Sequence, residues 1–237
     1  AFPLNYEFDF GTLTAITGYE TLDMFSRGDI DGGFGAVFAP PSGPGFIPFP
    51  SESADGLPEL DQFTQEIRLA SDTGGAWDWL VGFFYFDESL TADSFSYNSL
   101  GGNVQDGYAF QVQDAESWAL FTSLDFRPTD RLSLKGGLRY TTDEKEFSAE
   151  RPDPTFQTPT AGPILASTDA DLVTWDLSAT YKATENVNLY SRVGTGFRAP
   201  SIQGRILFCA DFEGGTNPAT NCVSVADEEK ITSFEAG

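Results

Sequence analysis

The side chains with chemistry to offer are few. The chain carries no histidine, which removes triads built on His and the commonest zinc ligand. Carboxylates are plentiful, 36 Asp and Glu against 13 Lys and Arg, giving a net charge of −23. Carboxylate pairs such as Asp87-Glu88 are adjacent in an extended segment, so their side chains point to opposite faces and cannot share one substrate. No catalytic residue is assigned, no enzyme activity is expected and no cofactor is called for. The acidic balance also argues against nucleic acid as a partner, since phosphate binding needs a basic face.

Two further sets of residues invite a chemical reading. Cys209 and Cys222 flank a polar Gly/Asn/Thr-rich stretch, the spacing of a loop disulfide made in an oxidising compartment; two unpaired thiols are the alternative. Asp29 and Asp31, in Gly28-Asp29-Ile30-Asp31-Gly32-Gly33, offer oxygen ligands to calcium, as does the run Asp227-Glu228-Glu229. Neither matches an EF-hand in length or ligand order, and a solvated acidic loop is the plainer reading. No metal site is assigned.

The elements that must position these groups are strands. Alternation at period two recurs along the chain, and helical periodicity does not. In Leu132–Asp143, Leu132, Leu134, Leu138 and Tyr140 oppose Ser133, Lys135, Arg139 and Thr141. In Val173–Lys182, Val173, Trp175, Leu177 and Tyr181 oppose Thr174, Asp176, Ser178 and Lys182. Similar rows at 4–10, 12–24, 63–69, 77–86, 118–126, 187–197 and 231–237 bring the count to about nine strands. Phe84, Phe86 and Phe121 interrupt the otherwise polar phase.

Connection lengths then discriminate between all-β folds. Short turns are expected near 9–12, 71–76, 127–131 and 183–186, and long connections at 26–60, 98–115, 149–170 and 200–230. Short and long alternate along the chain. A water-soluble sandwich has no reason to gather its long loops at one end, whereas a transmembrane β-barrel does. Strands of about nine to eleven residues suffice to span, and Trp77, Trp79, Phe126 and Tyr140 sit where aromatic girdles belong. No apolar run reaches the length of a transmembrane helix, and the first residues, AFPLNYEFDF, do not read as a signal peptide.

Solvation decides which face is which. An Arg or Lys facing mid-membrane lipid costs about 2–4 kcal/mol. Lys135 and Arg139 therefore face a wet or protein-filled lumen, together with Glu66, Arg68, Asp176, Lys182 and Arg192. Lumen-facing Arg68, Arg139, Arg192 and Arg198 are candidates for contact with an anionic ligand or a plug; pairing with wall carboxylates is the more ordinary role. Phe34, Phe38, Phe46 and Phe49, in the long connection 26–60, are candidates for stacking on a flat ligand, or for packing among the loops or against lipopolysaccharide.

Four motifs carry a family resemblance: GTLTAITGYE at 11–20, QEIRLAS at 65–71, GGLRYTTDEKEF at 136–147 and GFRAPS at 196–201. In this order they resemble the barrel of TonB-dependent outer-membrane receptors along nearly the whole chain. The resemblance implies an antiparallel barrel of about 22 strands, plugged by an N-terminal globular domain. Residues 1–237 then form an interior part of that barrel, about nine strands, with the plug domain absent from this sequence. It further implies the outer membrane of a Gram-negative bacterium and energy-coupled uptake of a scarce nutrient, such as an iron–siderophore complex. Its implied partners are outer-membrane lipid and lipopolysaccharide, the receptor's own plug, the TonB complex and the small-molecule nutrient. A non-gated porin of about 16–18 strands and a soluble extracellular β-sandwich binding module are the alternatives.

Overall fold

The computed structural model describes residues 1–29, 52–72, 74–98, 102–154, 159–207, 209 and 222–237. Eleven strands follow in chain order: β1 (Phe2–Phe8), β2 (Gly11–Asp29), β3 (Glu52–Ser71), β4 (Trp77–Asn98), β5 (Val104–Thr129), β6 (Leu132–Asp153), β7 (Ala161–Lys182), β8 (Asn188–Arg198), β9 (Ser201–Gly204), β10 (Val223–Ala226) and β11 (Glu229–Ala236). Nine of them form one open antiparallel sheet in the order β1 to β8 and then β11, while β9 and β10 pair with each other.

Four connections at one end of the sheet are tight; backbone bonds tie three of them to the strand end beside each and close the fourth. The amide of Asp72, just past β3, donates to Phe10 O in the β1–β2 turn (3.1 Å), that of Arg127 to Ala76 O in the β3–β4 turn (2.7 Å) and that of Lys182 to Arg131 O in the β5–β6 turn (2.8 Å). The amide of Ala183 donates to Val187 O (3.0 Å) and closes the β7–β8 turn. Thr129 Oγ1 accepts from the amides of Arg131 and Leu132, fixing the β5–β6 turn.

Strands β2 to β7 run 19 to 26 residues, about twice the nine to eleven that span a bilayer. The sequence-based expectation of short strands and long loops is therefore corrected. Of the expected connection 98–115, residues 104–115 belong to β5, and of 149–170, residues 149–153 belong to β6 and 161–170 to β7. These outer extensions escape the period-two signal because apolar alternation in them is brief. Tyr108, Phe110 and Val112 alternate with Ala109, Gln111 and Gln113, but Gly, Asp, Ser and Pro flank such runs and no sustained apolar row marks a lipid face. The backbone ladder carries the register through them.

Register makes the two faces explicit, because directly opposed residues share a face. One row joins Leu13, Leu69, Val81, Thr122, Leu138 and Trp175; two positions nearer the turns, Trp79, Leu124, Gly136, Leu177 and Val193 align, with Phe234 opposite Val193. No described residue covers this belt: Leu138, Leu177 and Phe234 keep 52%, 56% and 74% of their surface. So large an uncovered apolar face is the mark of a surface that meets a membrane or another protein rather than water. A sandwich would bury one face of this sheet against a second one. Here the buried apolar cluster is small and lies on the opposite face, against the outer halves of β5 to β7.

Candidate functional site

The face opposite the apolar belt carries the charges. Arg68, Gly82, Phe121 and Arg139 form one cross-strand row on β3 to β6. Arg68 pairs with Glu66 on its own strand at 3.2 Å. Arg139 takes no carboxylate in the ion pairs of the described residues. Its Nε donates to Thr141 Oγ1 at 3.1 Å, and its guanidinium lies 5.6 Å from the Phe84 ring and 5.5 Å from the Phe121 ring. Two of the three phenylalanines that broke the polar phase, Phe84 and Phe121, are thus lumenal platforms for a cation. Gly82 makes this possible, since a Cβ there would stand 2.3 Å from the tip of the Phe121 ring, which lies flat across β4.

Nearer the turns, Asp78, Asp125, Lys135, Ser178, Arg192 and Glu235 align across the same face. Arg192 Nη2 lies 3.8 Å from Asp176, a loose and exposed pair worth little in water. Arg198 ends β8 opposite Glu229, exposed and outside the ion pairs of the described residues. The four arginines share one face, but only Arg68 and Arg139 share a row. Phe34, Phe38, Phe46, Phe49 and Asp31 lie outside the described residues. Asp29 closes β2, and no group of three or more metal-ligating side chains occurs among the described residues.

Above these rows a second structure lies against the charged face. The chain leaving β8 forms β9, which pairs with β10, and Arg205 N donates to Cys222 O at 2.7 Å. Cys209 and Cys222 are joined as a disulfide with Cα atoms 5.3 Å apart, which sets aside the free-thiol alternative. Ile206 and Cys222 bury against Ala109, Phe147 and Ala149, all on the lumenal phase of β5 and β6. Lys145 Nζ reaches Pro200 O at 3.0 Å and pairs with Asp143.

Arg151 holds this assembly together. It is fully buried; its Nε donates to Pro159 O at 2.7 Å, and its Nη1 to the carbonyls of Ile206 (2.7 Å), Cys209 (3.0 Å) and Leu207 (3.3 Å). Burial pulls its pKa below the usual arginine value, yet a guanidinium stays charged under any ordinary condition. Sequence reasoning missed Arg151. The signal was its phase, shared with Lys135 and Arg139, which becomes visible once β6 is carried past Phe147.

The family model described as TonB dependent receptor-like, beta-barrel matches residues 1–237. The chain belongs to the TonB-dependent receptor family. Among solved structures, this receptor barrel is similar to the ferric yersiniabactin uptake receptor FyuA from Yersinia pestis, at 19% identity and a TM-score of 0.73, covering 98% of this chain and 31% of that one. It is also similar to the ferric-catecholate import receptor Fiu from E. coli K12 in its closed form, at 16% identity and a TM-score of 0.50, covering 88% of this chain and 33% of that one. The chain thus spans about a third of the length of these structures. The all-β reading and the open sheet of a partial barrel stand on these grounds together.

Proposed function

We propose that this chain is part of the wall of an outer-membrane receptor for energy-coupled, TonB-dependent uptake of a scarce nutrient, with an iron–siderophore complex as the first candidate. The observation that carries the reading is the two-faced sheet within a family-wide match. An uncovered apolar belt faces one way, and a charged wall bearing Arg68, Arg139, Arg192 and Arg198 faces the other. FyuA and Fiu are named for ferric cargo, which supports the same class here. On this reading the charged wall encloses the receptor's own plug, and the outer extensions stand among lipopolysaccharide of a Gram-negative outer membrane. Arg139, held between two rings without a carboxylate, is the arginine best placed to meet an anionic group from plug or ligand. Phe34, Phe38, Phe46 and Phe49 supply ligand contacts from an outer loop.

The test uses the full-length gene. A deletion strain should lose uptake of a radiolabelled ferric siderophore from a panel, and the gene should restore it only when the TonB system is intact. Restoration without TonB, together with passive passage of neutral sugars, would support a porin and defeat the proposal.

A further inference from the structure

The β9–β10 assembly, closed on itself by the Cys209–Cys222 disulfide, attaches to the bore side of the wall through four separate contacts. These are the Ile206–Cys222–Phe147 cluster, the three bonds of Arg151 to the carbonyls of Ile206, Leu207 and Cys209, the Lys145 bond to Pro200 O, and the seat of Gly204. A Cβ on Gly204 would stand 2.1 Å from Gln111 Oε1 and 2.7 Å from Phe147 Cζ, so β9 lies directly on the side chains of β5 and β6. The face it covers is the charged one, since Ala109, Gln111, Phe147 and Ala149 share the phase of Phe121 and Arg139.

We infer that Arg151 is a positioning residue that fixes the β9–β10 assembly as a permanent shelf inside the outer mouth of the barrel, so that cargo at that depth passes beside the β5–β7 sector and not along it. The inference rests on the receptor reading for its statement that this face is the bore. Three carbonyls from one short segment, Ile206 to Cys209, converge on a single Nη1 that is shut away from water. Removing the guanidinium strands those acceptors in a dry site, where each unmet group opposes the folded arrangement. A fixed shelf differs from the outer loops in one measurable respect. Its amides open only with the wall beneath them, because the same side chains bury both.

The experiment is hydrogen exchange on the full-length receptor in detergent, comparing wild type, Arg151→Ala and Arg151→Lys, with ferric-siderophore uptake measured on the same three. In the wild type the β9 and β10 amides should be protected to within tenfold of the outer half of β6. Arg151→Ala should lose at least tenfold of that protection while the girdle-level amides of β5 and β6 stay unchanged. Arg151→Lys, with one short donor head in place of a fork, should lie between them. Uptake should change in initial rate for large cargo more than for small cargo in Arg151→Ala. Wild-type β9–β10 amides that exchange as fast as an unstructured peptide, or equal protection in wild type and Arg151→Ala, would overturn the inference. Loss of protection throughout the barrel would count against it as well, by making Arg151 a general folding residue. Absence of uptake in all three forms bears on the receptor reading alone, and exchange then decides the shelf.

Discussion

The hydroxyl of Tyr140 donates to Asp171 Oδ1 at 2.9 Å, across from β6 to β7 and one row outward, since Tyr140 itself stands opposite Val173. The same diagonal recurs twice. Tyr85, opposite Trp118, donates to Glu116 at 3.2 Å, and Tyr19, opposite Phe63, donates to Asp61 at 2.9 Å. Each ring lies on the apolar face and each hydroxyl reaches the first carboxylate beyond it. A phenol suits that boundary because it is apolar along its body and polar at its tip.

The three pairs therefore mark the outer edge of the hydrocarbon. In full-length receptor reconstituted in vesicles, nitroxide labels at Leu138 and Leu120 should respond to dissolved oxygen, and labels at Asp171 and Glu116 to a polar paramagnetic quencher. The crossover should fall along the line of the three tyrosines, which steps outward by one row for every two strands from β6 to β2. Equal accessibility on both sides of that line would refute the placement.

The opposite assignment of neighbouring residues makes a second test. Leu177 stands midway along the apolar row of β7, and Ser178 beside it faces Lys135 and Arg192. Leu177→Arg should lower the folding free energy in bilayers by about 2–4 kcal/mol. Ser178→Gln should stay within about 0.5 kcal/mol, as for a solvated site. Folding titrations in urea with vesicles would read both, and similar costs for the two would mean that the faces are reversed or equivalent.

Much of this was legible in the sequence because lipid imposes alternation. Leu134, Leu138, Val173 and Leu177 had to share a face once Lys135 and Arg139 were excluded from hydrocarbon. The strand extensions were not legible, because their apolar alternation is short, as in Phe110 and Val112 against Gln111 and Gln113, and gives way to polar runs such as Ser167-Thr168-Asp169. Arg151 was hidden for a related reason. Its value comes from carbonyls more than fifty positions away, at Ile206 to Cys209, and no local pattern announces a side chain that serves a distant backbone. Arg139 was recognised as lumenal, but its ring partners looked like errors in the pattern until Gly82 showed how Phe121 lies flat.

Gly82 and Phe121 supply a coupled pair for mutation. Gly82→Val would place branched carbon where the ring now lies, and overpacking of this kind costs about 1–3 kcal/mol. Adding Phe121→Ala should recover part of that loss, with a coupling of about 0.5–3 kcal/mol between directly touching sites. A double-mutant cycle on heat-dependent gel mobility and urea midpoint would measure it. Strict additivity would show that the ring does not occupy the space above Gly82.

High on the outer extension, Tyr108 donates to Asp93 Oδ1 at 2.8 Å and stacks on Phe95 and Phe110. Burial first, then the hydrogen bond to Asp93 and the negative charges of Asp93 and Asp153, push its pKa up to about 12. The neutral phenol is the form the folded strand favours, while the unfolded chain releases its proton near the ordinary tyrosine value of about 10. The sign follows from which state holds the proton longer. The contribution is intact below about pH 10 and is lost as pH rises from there toward 12, with the unfolded state deprotonating first. Near-ultraviolet absorbance of tyrosinate, compared between the receptor and its Tyr108→Phe variant, should assign Tyr108 to the late-titrating fraction. Asp93→Asn should bring it part of the way back, since burial remains. Ionisation of Tyr108 together with the exposed tyrosines would show that the Asp93 contact and the aromatic stack do not persist in solution.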